Sequence, residues 1–548
     1  MKRKLIALLT ALCLILSLAA CGNSESAPQD PGTTNPPASE ENSGKSDTGQ
    51  NQTTADGQSG NTKAEDTDGM DEDMTEITVT YLSMGPIPSG LKDVEAAINE
   101  ITEAEKNIHV SLEMIEPGNY PQQINLKMSS SEAFDLMVTM PAGTASFNNM
   151  ASQNQFMDIS ELLEEYGQGI LTTLGDMING TKIGDAIYGV TTWRSLVTSN
   201  YICMRTDVLE DLGLLEKAQK MTTLTEYEEI LKAVKDSEKW NYLAGIVASD
   251  LVGTCLPLGG TYVGEDSFAD DSCYDQLGDT NKIIAINPDG SDPTIINNFA
   301  SDNYKKMYLQ MKDWYDKGYV YGDVTTQTDK AEELVKSNVA FSFFSQSEIG
   351  VDIQKSTTCA MPMTCVKMVT MPVSTSTCAK FVWGVPNTSR EPEAAIEFLN
   401  MMYTDARIAN LFAWGIENVH YQVKDGIATF MDGQSASDCP YHTIDFMYGN
   451  QFLVLPWEGQ PADFRDQAME EMKNAQVSAY LGFSCDTTGI SNEISAVSNV
   501  IAEFLPSIDS GVASETDYEA FLAKLNTSGV QLIIDEYQKQ LNDWLAKK

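Results

Sequence analysis

Strand-like runs and amphipathic stretches take turns along the first part of the chain's body. Ile77–Leu82 is rich in residues that favour strands, Ile108–Met114 alternates between apolar and polar positions, and Phe134–Thr139 forms a third such run. The stretches from about Leu91 to Glu105 and from Pro121 to Ser129 have helical character. Strand, helix and strand with short connections predict a parallel sheet covered by helices, and therefore an α/β fold.

Two later helices carry start signals in the sequence. Thr225 with Glu228 has the pattern of a capping box ahead of the apolar residue Ile230. Further on, Ser389 and Pro392 precede an apolar stripe at helical spacing. We interpret that stripe as the face of a helix that packs into a core.

The first 21 residues have the order of a secretory signal. Lys2, Arg3 and Lys4 precede an apolar stretch over residues 5–19, shorter than the roughly 20 apolar residues of a membrane span. The stretch ends in Leu-Ala-Ala followed by Cys21, which resembles the bacterial lipobox, in which the cysteine is lipidated. We predict a signal peptide over residues 1–20 and a lipid on Cys21 that anchors the protein at the outer face of the cytoplasmic membrane.

A polar segment follows the predicted lipidation site. From Gly22 to Thr75 the chain has no Val, Ile, Leu, Phe, Tyr or Trp, so it cannot bury enough apolar surface to offset the entropy of ordering. Residues 21–75 are therefore predicted to be the lipidated cysteine with a disordered acidic linker. As a flexible coil, this linker would reach about 40 Å.

The charge of the chain restricts its partners. The 548 residues include 79 Asp and Glu but only 35 Lys and Arg, which gives a formal net charge of −44. Nucleic acids and anionic lipid surfaces both reward Lys and Arg, so we expect no nucleic-acid partner. No second apolar run long enough to span a membrane follows the signal, so the lipid is the predicted membrane contact.

The sequence offers little for catalysis or metal binding. Its histidines are His109, His420 and His442, and no cysteine stands at zinc spacing to them, so we predict neither a metal site nor a cofactor. The Gly-x-Ser-x-Gly and His-Glu-x-x-His motifs are absent. A glycoside hydrolase needs only two carboxylates, which cannot be recognised among so many acidic residues. We nevertheless expect a protein that is not an enzyme.

Eight cysteines remain once Cys13 leaves with the signal and Cys21 is lipidated. Eight exported cysteines allow many disulfide pairings, and the sequence cannot choose among them. Cys359 and Cys365 are close enough along the chain for a local bridge.

A series of short motifs occurs along the body of the chain in a characteristic order. They are Phe134-Asp135-Leu136-Met137, Tyr188-Gly189-Val190, Met204 to Leu209 with Leu212-Gly213, Asp313 to Val320, Trp383-Gly384-Val385-Pro386, Pro392-Glu393-Ala394-Ala395, Tyr403-Thr404-Asp405, Phe412 to Tyr421, Ser528-Gly529 and Asp535 to Leu541. This order resembles the extracellular solute-binding proteins (family 1) of bacterial ABC importers, in particular their LplA-like lipoprotein branch. The departure is Asn418-Val419, where that branch usually has a glycine.

The resemblance implies a two-lobed fold of the periplasmic-binding-protein type II, with the ligand in a cleft between α/β lobes. We predict lobe 1 over residues 76–195 and 384–452, and lobe 2 over residues 196–383 and 453–548. The protein would be a monomer that captures a small-molecule ligand, closes by hinge motion and docks on membrane permease subunits. No phosphate-binding loop motif is present, so the ATPase would be a separate chain.

Three chain segments are predicted to cross between the lobes, and each brings a tryptophan near the cleft. The crossings are Tyr188–Asn200, Lys380–Val385 and Phe452–Trp457. Sugars combine apolar C–H faces with hydroxyls, so their sites pair flat aromatic rings with carboxylates and amides. The candidate ligand-binding residues are Tyr81, Met84, Trp193, Arg194, Trp383, Trp414, Glu417 and Trp457.

An oligosaccharide is the ligand that this set favours, and other interpretations stay open. Glu417 and His420 could fix their loop instead of contacting ligand. Arg194 could bind an acidic sugar or pair with a carboxylate. A peptide-binding lipoprotein of an ABC importer would use Asp and Glu to hold the peptide's amino terminus. A surface glycan-binding protein would need no transporter at all.

Overall fold

The computed structural model describes residues 74–249, 255–265 and 267–548. The predicted signal peptide, Cys21 and the linker up to residue 73 lie outside the described residues. Among the described helices, none has both the length and the apolar character that crossing a membrane requires.

Strands and helices alternate through most of the described chain. The strands are β1 (Thr75–Leu82), β2 (Ile108–Ile115), β3 (Leu136–Val138), β4 (Lys182–Ile183), β5 (Ala186–Ile187), β6 (Val190–Thr191), β7 (Ser199–Arg205), β8 (Ala244–Ile246), β9 (Tyr262–Val263), β10 (Ser272–Cys273), β11 (Ile284–Ala285), β12 (Ile296–Asn297), β13 (Ala340–Ser347), β14 (Met363–Thr370), β15 (Val382–Gly384), β16 (Gln422–Lys424) and β17 (Ile427–Thr429). The α-helices are α1 (Leu91–Lys106), α2 (Tyr120–Ser130), α3 (Phe147–Ser152), α4 (Ser160–Tyr166), α5 (Gln168–Leu174), α6 (Thr206–Asp211), α7 (Leu215–Gln219), α8 (Leu224–Asp236), α9 (Asp302–Asp316), α10 (Ala331–Lys336), α11 (Val351–Cys359), α12 (Thr375–Cys378), α13 (Pro392–Thr404), α14 (Ala406–Trp414), α15 (Phe464–Asn474), α16 (Ser491–Ile508), α17 (Glu515–Thr527) and α18 (Val530–Leu545).

The first sheet has the strand order β2-β1-β3-β15-β6. Strand β1 pairs in parallel with β2 and β3, while β15 runs antiparallel between β3 and β6. The prediction of parallel strands with helical connections is confirmed for the segment from β1 to β3. Val382 and Trp383, which the predicted boundary assigned to lobe 2, pair with this first sheet; the lobe boundaries otherwise remain a prediction.

The second sheet has the order β14-β7-β13-β8. Strand β7 is buried along its whole length, between the antiparallel neighbours β13 and β14. The core on this sheet also takes in side chains from α9 and from the C-terminal helices α16, α17 and α18. The chain therefore returns to the second sheet after it has completed the first.

Helix α8 begins earlier than its predicted capping box. Its N-cap is Thr223, whose side chain accepts from the Glu226 N–H at 3.1 Å. Glu228 instead accepts from the Trp314 indole N–H at 3.0 Å and pairs with Lys317. The predicted start at Thr225 was wrong by two residues because a second threonine satisfies the same spacing rule.

Backbone hydrogen bonds tie together the segments that pass between the sheets. Residues 192–198 connect β6 to β7, and residues 371–381 connect β14 to β15. These two segments meet at both ends: the Thr192 N–H donates to the Phe381 carbonyl at 3.0 Å, and the Met371 N–H donates to the Thr198 carbonyl at 2.8 Å.

A further segment, residues 449–451, lies beside the first passage. The Trp193 N–H donates to the Gly449 carbonyl, and the Gln451 N–H donates to the Trp193 carbonyl, each at 2.8 Å. Further along, the Glu458 N–H donates to the Ala428 carbonyl in β17. The bounds of the third predicted crossing, Phe452–Trp457, stay a prediction.

A buried carboxylate joins the first strand to the start of α13. Asp135 is 6% exposed, and its Oδ2 accepts from the Thr78 N–H at 2.9 Å. Its Oδ1 accepts from the Ser389 hydroxyl and from the N–H groups of Arg390 and Glu391, at 2.8 to 3.2 Å. The negative charge thus lies at the N-terminus of a helix, where it is stabilising.

Asp135→Asn tests this arrangement. The amide nitrogen would face an N–H donor on one side, so we expect the free energy of unfolding to fall by about 2 kcal/mol. Urea denaturation measures the change, with the exposed Asp329→Asn as a control. Equal unfolding midpoints for the two variants would show that Asp135 does not hold the strand to the helix.

Candidate functional site

A cavity of about 610 Å³ lies between the two sheets. Its lining comes from the crossing segments, from the end of β13 and from the segments around α15. The residues are Arg194, Thr198, Gln346, Ser347, Glu348, Ile349, Gly350, Ile353, Gln354, Lys380, Phe381, Asp445, Phe446, Gln451, Trp457, Glu458, Gln460 and Phe464. Aromatic rings, amides and charged groups of both signs are therefore all present in one cavity.

Arg194 is the central charged group of this cavity. It is 5% exposed and lies in the segment between β6 and β7. Its guanidinium donates to the carbonyls of Ser195 at 2.9 Å and Thr377 at 3.2 Å. It also lies 3.6 Å from Glu348 at the end of β13, while its Nε is buried without a hydrogen-bond partner. The side chain is held in place and keeps one donor unused.

Charges around Arg194 offset one another. Burial lowers the pKa of Arg194 and raises the pKa of Glu348. Burial, and then repulsion from Arg194, lower the pKa of Lys380. On the other side of the cavity Asp445 pairs with Arg465 of α15. Groups of opposite sign in contact leave the cavity with little net charge and many hydrogen-bonding atoms.

Trp457 supplies an aromatic wall and is backed by further rings. Its ring centroid lies 4.7 Å from that of Trp414, 4.3 Å from His442 and 4.8 Å from Phe430. Trp414 stacks on His442 at 5.0 Å with an angle of 14° between the rings, and its indole N–H donates to the Leu455 carbonyl. Packing from behind fixes the orientation of Trp457.

A second, smaller cavity of about 200 Å³ lies next to this aromatic cluster. Met84, which is 53% exposed, contributes to its lining, as do Met114 and His442. The residues from His442 to Phe446 line one or the other of the two cavities. A single short segment therefore separates them.

Tyr81 and Trp383 occupy the core, which corrects the prediction that they contact ligand. Both are 0% exposed. The Tyr81 ring packs edge-on against Phe412 and Tyr448, and the Trp383 indole N–H donates to the Met447 carbonyl at 3.0 Å. Both residues lie in interior strands of a sheet covered on both faces, where apolar side chains are enclosed.

Trp193 and Glu417 do not line the cavity, although the structure brings Trp193 close to it. Trp193 is half-buried against Phe452, with ring centroids 5.9 Å apart. Glu417 is exposed in the loop after α14. The candidate residues that do meet in the cavity are Arg194 and Trp457, with Trp414 behind and Met84 at the neighbouring cavity.

His420 and Asn418 shape the loop that carries Glu417. His420 Nδ1 accepts from the Ile416 N–H at 3.0 Å, and the Asn418 N–H donates to the Tyr421 carbonyl at 2.7 Å. Asn418 has φ 61°, the left-handed region that glycine enters freely and asparagine tolerates. Asparagine therefore preserves the loop where the resembling branch has glycine.

Sequence reasoning missed several cavity residues. Lys380 and Phe381 line the cavity. They lie in the predicted crossing Lys380–Val385, whose candidate residue was Trp383. Gln346 lies in β13 and Glu348 directly follows that strand. Neither has a local signal, and only the fold brings Glu348 to 3.6 Å from Arg194. Within the described residues, no group of three or more His, Cys, Asp or Glu is placed to hold a metal ion.

The fold and this cleft define a class of protein, and comparison with known families agrees. The model of the family described as bacterial extracellular solute-binding protein matches residues 88–407, more than half of the chain. A second model, a domain of unknown function (DUF3502), matches residues 479–546. The chain belongs to the bacterial extracellular solute-binding protein family.

Individual relatives are distant in sequence but cover most of the chain. A carbohydrate ABC transporter substrate-binding protein of Streptococcus pneumoniae is 22% identical over 482 residues, which are 86% of this chain and 91% of that protein. The crystal structure of NgtS, an N-glycan transport solute binding protein of S. pneumoniae, has a TM-score of 0.70 at 19% identity and covers 86% of this chain and 100% of its own. An HMO-binding ABC-transporter-associated protein of Bifidobacterium longum infantis has a TM-score of 0.56 at 15% identity, covering 86% of this chain and 99% of its own.

Membership of the family confirms three predictions made from the sequence. The chain has the two-lobed α/β fold of solute-binding proteins, it faces the outside of the cell, and it binds a solute and is not an enzyme.

His442 gives the aromatic cluster a dependence on pH. Burial lowers the pKa of His442 to about 4, below the roughly 6.5 of an unfolded chain. Between these values the unfolded chain binds a proton that the folded protein excludes, so stability is lost as pH falls from about 6.5 to 4. After a discount for partial exposure, we expect a loss of about 2 kcal/mol.

His442→Phe keeps a ring in the cluster and removes this titration. The variant should lose less unfolding free energy than the parent between pH 7 and 4.5, as measured by urea denaturation at both values. His109→Phe, outside the cluster, controls for general effects. A parent and His442→Phe that lose the same amount would place the pH dependence elsewhere.

Proposed function

We propose that this protein is a lipid-anchored solute-binding protein that captures an oligosaccharide and delivers it to the permease of an ABC importer. The observation that carries the proposal is the cavity that Trp457 and Phe381 line together with Arg194, Glu348 and Gln346. Rings accept the C–H faces of sugars, and guanidinium, carboxylate and amide groups bond their hydroxyls. The volume of about 610 Å³ lies within the usual range for small-molecule sites.

The charge balance favours a ligand that is itself close to neutral. Arg194 and Lys380 stand beside Glu348, and Asp445 is paired with Arg465. A strongly anionic ligand would have to displace Glu348, and a peptide's amino terminus would meet two cations. An oligosaccharide uses donors and acceptors alike without disturbing these pairs.

The named relatives support the same class of ligand. NgtS was solved in complex with Man1GlcNAc and with Man5GlcNAc. The S. pneumoniae sequence relative is described as a carbohydrate ABC transporter substrate-binding protein.

A thermal-shift screen of the protein without its signal peptide tests the proposal. Oligomannose glycans, milk oligosaccharides and short peptides are compared at equal concentration. A ligand at 100 times its Kd stabilises by about 2.7 kcal/mol, which raises the melting temperature measurably. A rise with glycans alone supports the proposal. A rise with peptides alone would favour the peptide-binding alternative. A glycan response without uptake by cells that carry the permease would favour the surface glycan-binding alternative.

Trp457→Ala should weaken binding of the glycan that gives the largest shift. Loss of a stacked ring removes about 1–3 kcal/mol of binding free energy, roughly a 5- to 150-fold rise in Kd. Isothermal titration calorimetry measures this rise, with Trp240→Ala as the control on the second lobe. Unchanged affinity in Trp457→Ala would show that this ring does not contact the ligand.

In contrast, Trp383→Ala should chiefly lower the melting temperature, because the Trp383 ring is enclosed.

Cys21→Ser tests the lipid anchor. Without a thiol at this position no acyl chain can be attached, so the variant should appear in the culture medium and lose labelling by radioactive palmitate. Cys13→Ser alters the other cysteine of the predicted signal region and should leave the protein in the membrane fraction. Equal membrane retention of both variants would contradict lipidation at Cys21.

A further inference from the structure

Two cysteines of the second sheet lie directly opposite each other. Cys203 in the interior strand β7 and Cys365 in the edge strand β14 are paired residues of the antiparallel register. Cys203 is fully buried and Cys365 is half-buried beside an open cavity of about 610 Å³. Residues paired in this way project their side chains on the same face of the sheet.

The backbone hydrogen bond of Cys365 shows whether Cys203 and Cys365 are a hydrogen-bonded or a non-hydrogen-bonded pair of the antiparallel ladder. Its N–H donates to Oδ1 of Asp352, on α11, at 2.8 Å, and therefore points away from β7. Cys203 and Cys365 thus form a non-hydrogen-bonded pair, in which the Cα atoms approach to about 4.5 Å and the side chains are closest. Disulfides need Cα separations of roughly 4.4–6.8 Å. The register therefore supplies the separation that a disulfide requires.

The two thiols influence each other. Interaction with the Cys203 thiol, and then burial, raise the pKa of Cys365. Cys359, at the end of α11, belongs to the same apolar cluster as Cys203, and burial raises its pKa to about 12. The proximity of Cys359 and Cys365 along the chain suggested a local bridge, but the strand register selects Cys203 as the partner of Cys365.

We propose that Cys203 and Cys365 form a disulfide in the exported protein. All eight cysteines within the described residues are free thiols in this structure. Proteins of this family work outside the cell, where disulfides persist. An external disulfide is the oxidant: the Cys365 thiolate attacks one of its sulfurs and releases one thiol. Cys203 then attacks the Cys365 sulfur and releases the second, so two protein thiols lose two protons and two electrons.

The bond would form during folding. A buried thiol with a raised pKa is rarely a thiolate, and the thiolate is the attacking species. Once folded in the reduced state, the protein should react slowly with an external disulfide, whereas an unfolded chain would expose both thiols. The bridge would link the strand that follows the first passage between the sheets to the strand that precedes the second. It would thereby fix the register of the two strands on which those passages depend.

Peptide mapping of the full chain tests the pairing. The protein is secreted into an oxidising compartment, its free thiols are alkylated, and it is digested without reductant. Mass spectrometry should find the Cys203 and Cys365 peptides joined and lighter by two hydrogen atoms than the separate pair. Alkylation of both residues, or a bridge from either one to Cys359, would overturn the proposal.

The melting temperature is a second test of the disulfide. It can be measured on the parent protein with and without reductant, so it does not depend on a variant that folds poorly. Reduction of the secreted protein should lower its melting temperature by about 5 °C. Cys365→Ser should melt near the reduced parent and no longer respond to reductant, while Cys273→Ser should respond as the parent does. A Cys365→Ser protein that keeps the full response would place the reducible bond elsewhere and overturn the pairing.

Discussion

Backbone hydrogen bonds around residues 192–198 are the constraint on which the site depends. This segment leaves the first sheet, bonds to the second passage at both ends and to residues 449–451 through Trp193, and then enters β7. Because these hydrogen bonds join main-chain atoms, they do not require particular side chains at these positions. Arg194 projects from the middle of this segment, so the same bonds that join the sheets also set the position of the cavity's central charge.

The strand pattern predicted most of the first sheet, since local alternation is enough to define β1 and β2 as strands. The resemblance to a family, not the local composition, placed the predicted crossings, and in the structure residues 192–198 and 371–381 connect strands of the two sheets. Whether an individual tryptophan side chain points into the core or into the cleft could not be predicted in this way. Trp383 pairs with Val138 on one side and Val190 on the other, residues distant in sequence, and these neighbours decide that its ring is enclosed.

Long-range pairing also explains why Glu348 and the Cys203–Cys365 register were not foreseen. Neither has a signal in its own stretch of sequence. Each arises because β13 and β14 flank β7, an arrangement that the order of elements along the chain leaves open. Asn418 shows the opposite case, in which one residue's conformational tolerance explains a departure from a family motif without any knowledge of its neighbours.

The position of Trp457 should make the tryptophan fluorescence of the protein sensitive to ligand binding. The Trp457 indole lines the cavity, whereas the rings of Trp314 and Trp383 are almost wholly enclosed. A sugar seated on Trp457 would exclude water from that ring and shift its emission to shorter wavelength. Occupancy of the cleft would then be visible in the intrinsic fluorescence of the chain's seven tryptophans, without any label.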